Sequence, residues 1–273
     1  MTAPDTAAPD ASGPVDASMS DAPYPLQDAM PDGSPFLVSG LVFGNVNGTG
    51  SFVGVFYPTG VTEPPWCGAY PFGACWVYEC PLPGMSDAGT SSQPSAGILT
   101  LTAPDVDAGN DELDASSGVY DYFSSSPIFS PGDMLSVSAT GGEVPAFGPW
   151  TIVGPGAVSV GAPAVPTDGS DVLIPTESDL DVAWSGGQAG STMLFELTAS
   201  FKNEGSSQIL CQWPAAAGSG VIPAAALATL LGPSPQASGA MGWYEANEAD
   251  FQAGSWRVQL WAENGGFASA TFQ

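Results

Sequence analysis

The chain has 273 residues, 44% of them hydrophobic, so it is long enough for one large or two ordinary domains with a buried core. Only 11% of the residues are charged and nearly all of that charge is negative: 28 Asp and Glu stand against Lys202 and Arg257, with no histidine, for a formal net charge of −26. Nucleic acid and anionic lipid both need cations to neutralise them, so the composition argues against either as a partner. Cationic partners, metal ions and neutral ligands such as glycans stay open. Surface polarity comes from Ser, Thr, Asn, Gly and Asp, a pattern of extracellular β-proteins with polar loops.

Residues 1–35, "MTAPDTAAPDASGPVDASMSDAPYPLQDAMPDGSP", are built largely from Ala, Pro, Asp and Ser. Proline blocks helix and sheet, the Asp charges repel, and too little apolar surface exists to offset the entropy of ordering. The segment reads as a disordered, semi-extended tether. Met1 is followed at once by polar residues, so no secretory signal is visible. An exported form therefore implies that a signal has been removed and that Met1 replaces a processed residue. No stretch reaches the roughly 18 apolar residues of a membrane span.

From Phe36 the grammar changes to strand and turn. "FLVSGLVFGNV" and "GTGSFVGVFYP" are β-branched and aromatic runs split by Gly and Asn. "ACWVYEC", "GILTLTAP", "DMLSVSATG", "WTIVGP" and "AVSVGAP" follow, with turn signals about every ten residues. This predicts a first β-sandwich domain over 36–164. "GAPAVPTDGSDV" reads as a boundary. Beyond it, Leu180, Val182 and Trp184 share one face of a strand, as do Met193, Phe195 and Leu197. Trp256, Val258 and Leu260 alternate with Arg257, Gln259 and Trp261. About seven strands in roughly 108 residues predict a second, immunoglobulin-like sandwich over 165–273. "VIPAAALATLLG" predicts one short helix, started by Pro223 and stopped by Gly232. A weaker helical signal lies in "EANEADF". The fold class is all-β: two β-sandwich domains after a disordered tether.

Four cysteines, Cys67, Cys75, Cys80 and Cys211, predict two disulfides in an oxidising compartment. Zinc is the rival, but the C-x7-C-x4-C spacing lacks a knuckle and no His is available. Three pairings are open. A hairpin turned by Tyr70-Pro71-Phe72-Gly73 favours Cys67–Cys75, which leaves Cys80 for Cys211.

"SDLDVAWSGG", "ILCQWPAAAGSGVIPAAALATLLG" and "SPGDMLSVSATGGEVPAFGPWTI" together resemble a family of secreted, often lipid-anchored tandem β-sandwich proteins of myxobacteria. "GDMLSVSATGGEVPAF" and C-x-W-P-A-A-A-G-S-G-V-I-P are the most specific parts, and the three-cysteine group "CGAYPFGACWVYEC" also fits. The resemblance runs from about Phe36 to the end. It implies a secreted or outer-surface location, with a lipid on an N-terminal Cys that this sequence lacks. It implies no site residues.

Chemistry is narrowed by what is missing. Ser-His-Asp and Cys-His devices need an imidazole, and there is none. Lys202, in the polar stretch "SFKNEGSS", is a poor base for a Ser-Lys dyad. Phosphate-cradling glycine loops are absent. A glycosidase needs only two carboxyl groups, and Asp179, Asp181, Glu196, Glu245 and Glu248 are candidates without a telling spacing.

Two binding signals remain. "APDVDAGNDELDAS" holds Asp105, Asp107, Asn110, Asp111, Glu112 and Asp114, with Asp121 nearby. Only its first two acids fit an EF-hand template, though a looser D-x-D-x-G calcium loop carried by Asp105, Asp107 and Asp111 fits better. An exposed acidic turn between two strands explains the same letters. Trp66, Tyr70, Phe72, Trp76 and Tyr78 crowd one cysteine-bearing hairpin, and flat rings held rigidly stack on sugars. Alternate rings of such a hairpin also serve as core, as Trp184, Trp213 and Trp256 do in their strands. Trp243 and Tyr244 form a second aromatic stretch.

The expected function is a non-catalytic extracellular or cell-surface structural or adhesive protein without cofactor, its partner a protein or a glycan. The alternative is a carbohydrate-binding module using the 66–78 aromatics, with calcium assisting. A carboxylate-dependent glycoside-cleaving enzyme is third.

Overall fold

The computed structural model of the chain describes residues 39–56, 68–80, 94–105, 111–114, 119–201, 205–232 and 238–273. The expected tether at 1–35 lies outside them.

The elements begin with a hairpin of β1 (Ser39–Val46) and β2 (Thr49–Val55). Its turn is Asn47-Gly48, with φ of 49° and 82°, the left-handed pair that a two-residue hairpin loop requires. β3 (Gly68–Phe72) and β4 (Cys75–Cys80) make a second hairpin, and β5 (Ile98–Thr102) and β6 (Asp111–Asp114) a third. β7 (Val119–Ser124) pairs with β2, while β8 (Met134–Ala139) joins β5 to β9 (Phe147–Val153). Then come β10 (Ser159–Ala162), β11 (Val172–Ile174), β12 (Leu180–Ser185), β13 (Thr192–Phe201), β14 (Gly205–Pro214) and β15 (Ser219–Ile222). The helix α1 (Ala224–Leu231) precedes the long strands β16 (Ser238–Ala253) and β17 (Trp256–Phe272).

These strands build a ten-stranded sheet in the order β3-β4-β14-β13-β16-β17-β1-β2-β7, with β11 also paired to β17. Two smaller sheets, β10-β12-β15 and β6-β5-β8-β9, complete the fold. The protein is all-β with sandwich-like layers.

The β16–β17 hairpin explains the layering. Side chains alternate faces along a strand, and β17 runs in unbroken register with β16. Val258, Leu260 and Ala262 enter one apolar core; Ala270 and Phe272, on the same face further along, enter the other, with Ala268 against it. The first core adds Leu41, Phe43, Phe52 and Tyr120 from the large sheet, and Leu99, Leu101, Leu135 and Val137 from the four-stranded sheet. Phe43 and Phe52 meet edge to face at 5.0 Å. The second core adds Val77, Met193, Phe195, Leu197 and Ile209, and receives Leu180, Val182, Trp184 and the helix. Each such Leu or Phe contributes roughly 1.5–3 kcal/mol by burial.

Each core thus draws on both sides of residue 164. β1 lies parallel to β17, and β4 pairs with β14. The boundary expected there is a change in chain composition, and the sheet runs across it.

The helix has the ends that the sequence predicts, Pro223 before it and Gly232 after it. Its first free backbone N–H, on Ala224, donates to Asp179 Oδ1 at 2.8 Å. Ala226, Leu227, Leu230 and Leu231 turn into the second core. The helical signal in "EANEADF" is corrected: Glu245–Phe251 is strand, because β16 pairs throughout with β17 and its length overrides local propensity.

Candidate functional site

The aromatic hairpin divides its rings between two faces. Tyr70 opposes Val77 and Phe72 opposes Cys75, on the core side, where Phe72 packs against the second core. Trp76 and Tyr78 point to the opposite, outer face, both half-buried. Tyr70 is 45% exposed at the sheet edge. Trp66 and Cys67 lie outside the described residues.

The expected cysteine pairing is corrected. Cys75 is bonded to Cys211, so neither Cys67–Cys75 nor Cys80–Cys211 forms. The turn of the β3–β4 hairpin is Gly73-Ala74, which puts Cys75 at the first inward position of β4. There it stands directly opposite Cys211 on β14. The bridge still ties the 36–164 segment to the 165–273 segment, as the expected Cys80–Cys211 link was to do.

The acidic stretch joins two antiparallel strands. Asp105 is exposed after β5, and Asp111 opens β6 opposite Leu101. Asp107 lies outside the described residues. Ser130 Oγ donates to Asp105 Oδ2 at 3.5 Å, and Ser130 N donates to Asp133 Oδ2 at 2.7 Å, so Asp105 is drawn towards the 130–133 turn. Among the described residues no three His, Cys, Asp or Glu side chains converge as metal ligands.

The candidate catalytic acids do not form a set. Asp179 caps α1, and Asp181 is exposed on β12. Glu248 accepts from Gln259 Nε2 at 2.8 Å. Glu196 opposes Gly242 on the outer face, whereas Glu245 opposes Met193 on the core face. The thickness of the sheet separates them.

Two polar groupings were missed by sequence reasoning. On the outer face, Trp76, Leu210, Glu196 and Gly242 stand in one cross-strand row. The Tyr244 ring lies over Gly242, where a β-carbon would come within 2.8 Å of its Oη. Glu263, opposite Ala246, is buried on the same face. Burial, then the Glu196 charge, pushes the Glu263 carboxyl up to about 8. Burial, then Glu196 and Glu263, also raises the Tyr244 phenol. Trp261 Nε1 and Gln259 Oε1 are buried here without a hydrogen-bond partner. The signal for Glu263 was available: it is the next position on the Arg257, Gln259, Trp261 face.

On the core face, a polar seam separates the two cores. Asn45, Asn264 and Glu245 stand side by side on β1, β17 and β16. The seam holds irregular backbone that crosses the sheet. Asn45 Nδ2 donates to Phe129 O at 2.8 Å and Ile128 N donates to Asn45 Oδ1 at 2.9 Å. Asn247 Nδ2 donates to Val153 O at 2.8 Å, and Asn264 Nδ2 to Pro155 O at 3.3 Å. Gln188 N donates to Glu245 Oε1 at 3.0 Å, and Ser191 Oγ to Asn247 Oδ1 at 2.8 Å. Buried backbone outside sheets must find such partners. No periodicity reveals this pairing, because the partners are loops from distant parts of the chain.

The class defined so far is an all-β protein with two sandwich cores on one long sheet. No protein-family model matches the chain, and no curated protein matches it. Among solved structures it is similar to the FN1–FN3 domains of chicken CNTN1, at 13% identity and TM-score 0.24, over 82% of this chain and 65% of that one. A Salmonella alpha-2-macroglobulin aligns at 12% identity and TM-score 0.24, over 88% of this chain and 15% of that one. A tetra-tandem repeat from the extending region of a large adhesion protein aligns at 13% identity and TM-score 0.20, over 86% and 50%. The chain thus spans less than two thirds of each of these structures. No helix among the described residues is long and apolar enough to cross a membrane.

Proposed function

We propose that the chain is a non-catalytic extracellular protein, structural or adhesive, that presents its loops from a stiff β-scaffold. The observation that carries this reading is the β16–β17 hairpin, whose one face serves both cores. Such a spine couples two sandwiches mechanically, which suits a spacer or a surface adhesin. The Cys75–Cys211 bridge supports an oxidising, extracellular compartment. A lipid at the N-terminus, as in the myxobacterial family the sequence resembles, would hold the scaffold at the outer surface. The partner is a protein or a glycan.

A carbohydrate-binding role is the second reading. Trp76 and Tyr78 share the outer face of β4 two positions apart, about 7 Å along the strand. A glycan array read with and without Ca²⁺, beside adhesion of protein-coated beads to cells, separates the readings. Bead adhesion with a blank array supports the adhesive role. Array binding lost in Trp76→Ala supports the glycan role. Glycoside turnover that is lost in Glu196→Gln and Glu263→Gln overturns the non-catalytic reading.

A further inference from the structure

The seam contains a group that its structural role does not use. Glu245 is 0% exposed, and its Oε2 has no hydrogen-bond partner. A buried carboxylate is costly unless a counter-charge meets it. The groups in register beside it are neutral: Asn264 on β17 and Met193 on β13. Arg257 is on the outer face, bonded to Asp250 at 3.0 Å, and Lys202 lies outside the described residues.

A second observation locates a site. A β-carbon on Gly156 would lie 3.0 Å from Glu245 Oε2 and 2.9 Å from the Gln188 amide nitrogen. Two polar side chains therefore converge on the flank of a buried glycine. The amide's oxygen and nitrogen exchange places by rotation about one bond, so Gln188 can present its oxygen there. The carbonyl of Pro155, adjacent in the chain, already accepts from Asn264 and has a second lone pair.

We propose that Glu245 Oε2, the Gln188 side-chain oxygen and the Pro155 carbonyl bind a calcium ion beside Gly156, in the seam between the two cores. With the Gln188 amide turned, all three protein donors are oxygens, which suits a hard cation and not a thiophilic or imidazole-seeking metal, and water entering past the exposed Gln188 fills the remaining coordination positions. One carboxylate with neutral oxygens makes a weak site, of about 10⁻⁴–10⁻³ M, as in extracellular calcium modules. The chain's large negative charge raises the local cation concentration. The site is distinct from the Asp105 loop, and it does not rest on the function proposed above.

The test is thermal unfolding of the full chain in 0.15 M KCl, in chelator and across roughly 0.1–10 mM CaCl₂, a range set by that affinity. Wild type is compared with Glu245→Gln, Gly156→Ala and Asp105→Asn. The expected result is a dose-dependent rise in Tm for wild type and Asp105→Asn, absent in Glu245→Gln and Gly156→Ala. No rise in wild type, a rise kept in either seam variant, or a rise lost in Asp105→Asn overturns the proposal. Should the seam variants fail to fold, Tb³⁺ emission sensitised by tryptophan decides. Trp243 lies two residues from Glu245 on the same face, so Trp243→Phe should remove most of the calcium-displaceable emission; emission unchanged in that variant overturns the site.

Discussion

Cys75 and Cys211 face each other across β4 and β14 and join positions 136 residues apart. Their bridge anchors the edge hairpin β3–β4 on the second core, where both sulfurs are buried with Val77 and Ile209. A cross-link closing so long a loop mainly restricts the unfolded chain. Cys75→Ala with Cys211→Ala should cost about 2–5 kcal/mol, read as a lower urea midpoint. The double variant should also respond less to reductant than the wild type, any remaining response coming from Cys67 and Cys80. An unchanged midpoint would contradict the bridge.

Glu263 gives the outer face a pH dependence opposite to that of most carboxylates. Its pKa is about 8 when folded, against 4.5 for the free group. Between those values the folded state holds a proton that the unfolded state has released. Stability therefore falls as pH rises through this window, by up to about 1.4 kcal/mol per pH unit, and levels off above it. Glu263→Gln should flatten the profile and raise stability at neutral pH, because the amide is neutral throughout. The check is urea unfolding at intervals from pH 5 to 9, a range chosen to cover that window; parallel profiles for variant and wild type would show that Glu263 ionises freely.

Much of the fold was legible in the sequence because alternation is a strong signal. Leu180, Val182 and Trp184 are buried together, as are Met193, Phe195 and Leu197, and Pro223 and Gly232 bound the helix. The order of strands was not legible. β1 lies beside β17 and β4 beside β14, and nothing local records a pairing over such separations. The cysteine pairing failed for the same reason: a hairpin was expected to close on itself, whereas register with a distant strand chose the partner. Of the candidate site residues, Trp76 and Tyr78 share a face while Tyr70 and Phe72 take the other. Glu245, named in the sequence only as one carboxylate among several, is buried, since its strand passes between two cores.

Gly220 shows how closely the second core is packed. The Trp213 ring lies against it, stacked on Trp184 with centroids 5.6 Å apart. Trp184 Nε1 in turn donates to Ala215 O at 2.6 Å. A methyl at 220 would meet the indole of Trp213 and displace it. Gly220→Ala should cost about 1–3 kcal/mol by overpacking and change the near-UV circular dichroism of the tryptophan pair. A silent spectrum with unaltered stability would mean the ring moves freely.

Asn45 offers the sharpest test of the seam. Its side chain is 4% exposed and satisfies two backbone groups of another segment, the carbonyl of Phe129 and the N–H of Ile128. Both of those residues are themselves in the first core. Asn45→Ala removes both bonds and leaves two buried polar groups without partners, at roughly 1–3 kcal/mol each. Asn45→Asp keeps an acceptor for Ile128 N but turns a carboxyl oxygen towards Phe129 O, so it should cost at least as much. The loss should be local before it is global: amide exchange of Ile128 should accelerate more than that of Leu260, deep in the same core. Equal acceleration at the two amides would mean that Asn45 supports the sheet as a whole and has no particular hold on the crossing segment.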